Sequence, residues 1–95
     1  MVYRIVIPMT TYEGWTNRAT WNVSLWLNNT FVYYEAAVEF MKNYKGKQPY
    51  KDFILDCGLD TQRTPDGFKW ISMELNYAEL NQMMWEFRPN DWKSK

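Results

Sequence analysis

Ninety-five residues suffice for one compact domain and leave no room for two. Eleven basic side chains balance eleven acidic ones, so the chain has neither the basic excess that duplex phosphates favour nor the acidic excess of a nucleic-acid mimic. A single Cys and no His exclude an intramolecular disulfide and remove the usual general base and zinc ligand, while six Trp, seven Tyr and five Phe give a small core unusual aromatic mass.

Residues 2–7, VYRIVI, are β-branched and aromatic and stop at Pro8, which reads as one short strand. Such a strand needs a neighbour: either a second segment, for which 67–72, GFKWIS, is the best candidate, or the same strand of another copy in a homodimer. The apolar run is too short to span a membrane and lacks the flanks of a secretory signal. With one cysteine, a reducing, cytoplasmic setting is expected.

A first helix is expected from Arg18 to about Asn28, with Thr16 or Asn17 as its N-cap. Asn28-Asn29-Thr30 breaks it, and Thr30 can cap a second helix from Phe31 to about Tyr44. Lys45-Gly46-Lys47 then supplies the stop, with glycine suited to a left-handed C-terminal position. Pro49 fits the first position of a third helix, in which Tyr50, Phe53, Ile54 and Cys57 form one apolar stripe before Gly58 ends it. Residues 59–67 form a loop around the turn Pro65-Asp66-Gly67. Asn76 with Glu79 three residues on has the spacing of a capping box, opening a last helix whose Tyr77, Leu80, Met84 and Phe87 share a side and which ends before Pro89. The expected fold is mainly α: four short helices in a compact single domain, 14–88, with an N-terminal strand or arm, 1–13, and a flexible tail, 89–95.

At about 100° per residue, the first helix gathers Ala19, Val23, Trp26 and Leu27 on one side, the stripe of a core-facing helix. Trp21 and Leu25 lie nearly opposite, beside Arg18, Asn22 and Asn28. Two readings stand. Either the helix is covered on both sides, or Trp21 and Leu25, edged by Arg18 and Asn22, form a contact for a partner protein, since an aromatic beside an arginine is typical of interface hot spots. Stacking of the indoles on unpaired bases would need a basic groove, which is missing. The amides of Asn17, Asn22, Asn28 and Asn29 likewise have two uses, fastening the loop and helix ends to the core or forming a polar edge around Trp21.

The run GWTNRATWNVSLWLNN, residues 14–29, resembles the opening of a family of small proteins from bacteriophages, cyanobacteria and plasmids with the pattern W-x-N-R-E-T-W-N-V-x-L-W. TPDGFKW, 64–70, and ELNYAELNQMM, 74–84, are similar to that family's second half, so the likeness spans roughly residues 14–87. The resemblance implies a phage or mobile-element origin, host-cell cytoplasm as the setting and a role in modifying the host. Ala19 departs from the family's glutamate, which would complete a capping box with Thr16.

Cys57 lies on an apolar stripe and reads as a small buried hydrophobe, and without a histidine or second cysteine neither a papain-like nucleophile nor a zinc site can be assembled. Asp56, Asp60 and Asp66 are too sparse for a calcium loop, Glu35 and Glu39 fall on the polar side of their helix, and no glycine-rich phosphate loop is present. No cofactor, no metal and no enzymatic activity are therefore expected. Tyr34, Val38, Met41, Met83 and Trp85 add more apolar surface than the stripes require.

The leading expectation is a binding protein that engages a host protein through Arg18, Trp21, Asn22 and Leu25. The alternative is a nucleic-acid-binding regulator using the one locally basic segment, 42–51, through Lys42, Lys45, Lys47 and Lys51, with Arg4 and Arg18 in support.

Overall fold

A computed structural model describes residues 12–88, which form four helices: α1 Arg18–Asn29, α2 Phe31–Lys42, α3 Pro49–Asp56 and α4 Tyr77–Glu86. The expected strand at 2–7, its pairing across a dimer, Arg4 and the tail 89–95 lie outside the described residues.

Local signals start and stop most of the helices. Asn17 caps α1, its Oδ1 accepting the Thr20 N–H at 2.9 Å. Thr30 is extended, with its N–H on the Trp26 carbonyl, so α2 begins at once and doubles back on α1. The side chain of Thr30 makes no capping bond, contrary to expectation. Pro49 opens α3. At its other end Gly58, at φ 72°, and Leu59 donate to the Leu55 and Ile54 carbonyls, closing the helix with the left-handed turn that glycine permits.

The end of α2 departs from the sequence reading. The helix stops at Lys42, and Arg88, arriving from beyond α4, donates to the Met41 carbonyl at 2.7 Å and to the Tyr44 carbonyl. Gly46 is not in the left-handed region. A Cβ there would displace the Tyr44 phenol, whose hydroxyl bridges the Asp52 carboxylate (2.5 Å) and the Gln48 N–H (3.0 Å).

Residues 67–72 form no strand, and no strand is present among the described residues. Within this stretch Trp70 is buried, Phe68 and Ile71 are half-buried against the core, and Lys69 is exposed. Thr64 donates to the Phe68 carbonyl and Trp70 to that of Gln62, leaving one isolated bridge, Arg63 to Lys69, around the turn at 65–67.

The core lies where the four helices and this loop converge. Val23 and Leu27 from α1, Ala37 and Met41 from α2, Tyr50, Phe53 and Ile54 from α3, and Leu80 and Met84 from α4 close around Trp70. The phenol of Tyr50 donates to the Trp70 carbonyl at 2.7 Å, and burial raises its pKa far above the usual value. Among the described residues no helix is long and apolar enough to cross a membrane.

Candidate functional site

The three stretches that carry the family likeness, distant in sequence, meet in space. At the first junction the N-terminal ends of α1 and α4 share their caps. Thr20 Oγ1, fully buried, donates to Asn17 Oδ1 (2.7 Å) and accepts the Asn76 N–H (3.0 Å). Asn17 Nδ2 reaches the Glu74 carbonyl at 2.8 Å, and Asn76 Oδ1 accepts the Glu79 N–H at 3.0 Å. The capping box expected at Asn76 is thus only half local. Glu79 turns away from Asn76 and grips Thr16, taking its N–H at 3.0 Å and its hydroxyl at 2.9 Å. Thr16 is therefore secured by a carboxylate 63 residues away rather than by residue 19.

At the second junction α1 holds the loop 62–70. Asn22 is fully buried and both ends of its amide are used, Nδ2 donating to Asp66 Oδ2 (2.7 Å) and Oδ1 accepting from Thr64 Oγ1 (2.7 Å). Trp26 donates its indole N–H to the same Asp66 oxygen at 2.9 Å. Thr64 Oγ1 in turn accepts the N–H groups of Asp66 and Phe68. The bonds from Asn22 and Trp26, with the nearby charge of Arg18, hold the Asp66 carboxyl below its ordinary 3.8. A depressed folded-state pKa contributes stability that is complete above the unfolded value and is lost as pH falls through the folded one. Acid unfolding of Asp66→Asn should accordingly lack a component that the wild type shows below pH 3.8, followed by tryptophan fluorescence.

Asn22 is therefore not part of a surface edge. Its flank of α1, polar by its residues, is sealed by a loop that the helical period alone does not reveal. The neighbouring face is different. Trp21 and Leu25 are both half-buried, yet belong neither to the core nor to the side chains packed against it. Tyr12 meets the Trp21 ring edge-on at 4.8 Å, and the exposed Arg18 lies over Phe68 at 5.5 Å. Arg18, Trp21 and Leu25 thus fall together on one outward face.

The basic segment is partly committed elsewhere. Lys42 pairs with Glu39 at 3.0 Å and Lys51 sits over the Tyr77 ring at 5.0 Å, while Lys45 and Lys47 are exposed in the α2–α3 connection. Cys57 is half-buried rather than buried, and desolvation pushes its thiol up, away from the thiolate that nucleophiles need. Glu35, Asp56 and Asp60 are exposed, and no three acidic or thiol side chains among the described residues come together as a metal site.

Sequence reasoning missed a cleft of about 590 Å³ between the Gly14–Trp15 turn and the outer face of α4. Trp15, Met83 and Phe87 supply its apolar wall, and Asn28, Glu79 and Glu86 its polar edge. Glu79 and Glu86, two helical turns apart, were the available signal, but nothing near them in sequence identifies the Trp15 side that completes the cleft.

The sequence profile of a family of unknown function (DUF7249) matches residues 9–92. No curated protein and no solved structure matches the chain.

Proposed function

The chain belongs to the DUF7249 family, and we propose that it is a small binding protein that attaches stoichiometrically to another protein and modulates or inhibits it. The partner is a host protein, in keeping with the resemblance of residues 14–29 to proteins of phages and other mobile elements. One observation supports this reading: Trp21 and Leu25 are only half-buried and stand outside the core, on the helix whose Asn17 cap, Thr20, Asn22 and Trp26 are bonded internally. An indole that reaches the surface beside a leucine and an arginine is the composition of a binding hot spot. Two large apolar side chains at the start of α2, Phe31 and Val32, are 74% and 69% exposed, so apolar surface is also presented to solvent there.

The test is capture from host lysate by wild type, Trp21→Ala and Leu25→Ala, followed by affinity measurement on the recovered partner. Truncating a hot-spot indole should cost about 2 kcal/mol, roughly thirtyfold in Kd, with little change in melting temperature. Equal affinity of a folded Trp21→Ala protein for every partner removes this face as the contact.

A further inference from the structure

We infer that the cleft between Trp15 and α4 receives a basic side chain, arginine or lysine, carried on an apolar segment of the partner protein. The inference rests on the binding role proposed above and adds to it a second contact with its own chemistry.

Charge is the first ground. Among the described residues lining the cleft, the ionisable ones are Glu79 and Glu86, and none is lysine or arginine. They stand seven residues apart on α4, roughly 10 Å along the axis, and so give a cation two acidic positions on one wall. Glu79 is held in place by Thr16, which binds both of its oxygens and leaves each a further lone pair. Glu86 is exposed and accepts from Gln82 at 3.1 Å. Arg88, the nearest basic residue in sequence, directs its guanidinium toward the carbonyls of Met41 and Tyr44 at and just beyond the end of α2.

The walls are the second ground. Trp15 and Phe87 are aromatic, and Met83 lies between the acidic residues in sequence with Asn28 Nδ2 against its sulfur at 3.4 Å. Aromatic faces attract ammonium and guanidinium groups, and apolar walls accept the methylene stem that carries them. A volume of this size lies within the range of ligand sites, ample for one long side chain and its neighbours.

Position is the third ground. Asn28 lies seven residues beyond Trp21 and three beyond Leu25, on the same side of α1. The cleft therefore adjoins the face assigned above to the partner, and one bound segment can span both.

The experiment is a nuclear magnetic resonance titration of the full chain with acetyl-Leu-Arg-Leu-amide, following the Trp15 indole N–H and the Met83 methyl. Saturable shifts are expected at both groups. Binding should weaken about tenfold for the isosteric peptide with neutral citrulline in place of arginine, and again for Glu86→Gln, a variant that leaves the Thr16–Glu79 bonds intact. Four results overturn the proposal: no shift of Trp15 at millimolar peptide; equal binding of the citrulline peptide; equal binding of n-butylguanidine, which would make a free small cation the ligand; or self-association in sedimentation that Glu86→Gln abolishes, which would make a second copy the occupant. Failure of the cleft is then distinguishable from failure of the Trp21 face, which the capture experiment reads separately.

Discussion

Asn22→Ala should lower the stability of the domain by about 3 kcal/mol and its melting temperature by roughly 15 °C. The side chain has no exposed surface and makes two bonds of 2.7 Å, one to the charged Asp66 carboxylate. Its removal leaves the buried Thr64 hydroxyl without its acceptor and takes one of two donors from Asp66. A buried polar group deprived of its partner costs about 1–3 kcal/mol, and a bond to a charged group lies at the upper end of the range. Asn22→Asp should be worse at neutral pH, since it sets a second carboxylate against Asp66, and should partly recover in acid as one of the pair takes a proton. Urea unfolding of both variants at pH 7 and pH 4 is the measurement. A loss below about 1 kcal/mol for Asn22→Ala would mean that the loop 62–70 is held by something other than this residue.

Trp70→Ala should cost still more, about 4 kcal/mol. Trp70 is 2% exposed and sits at the centre of the core, with Tyr33 edge-on at 5.7 Å. Truncation removes the largest fully buried side chain among the described residues, and the helices around it can collapse only in part. For a domain of this size the loss is a large share of the whole folding free energy, so the variant should be substantially unfolded at physiological temperature. Trp70→Phe should retain about half of the difference. The Tyr50 hydroxyl bonds to the backbone of residue 70 and keeps its acceptor in both variants. Calorimetry of the two proteins checks the ranking, and a Trp70→Ala protein melting within a few degrees of wild type would show that the core does not close on this ring.

The sequence disclosed what is decided within a few residues. Asn17, Pro49, Gly58 and Asn76 mark helix ends by chemistry local to each, and all four sit where that chemistry requires. The apolar stripe of α1 was legible for the same reason, as was the separation of Trp21 and Leu25 from it. What was hidden depends on partners far along the chain. Asn22 looks like an edge residue on a helical projection, and only a loop 42 to 44 residues later shows that it is interior. Glu79 matches a capping box but is drawn across to Thr16. The end of α2 is fixed by Arg88, and Gly46 answers to the Tyr44 ring rather than to a left-handed turn. The acid-edged cleft was invisible because its two walls come from segments far apart in sequence.

The shared caps of α1 and α4 bear on how the protein is made. A ribosome delivers α1 first, yet the groups that hold Thr16, Asn17 and Thr20 belong to Glu74, Asn76 and Glu79. Until those residues leave the exit tunnel the first helix has no fixed docking place, and Trp26 and the apolar side of that helix stay uncovered. The nascent chain must therefore wait for the fourth helix before this domain can close. Any truncation short of the fourth helix should yield a species that aggregates or is degraded rather than a smaller folded unit.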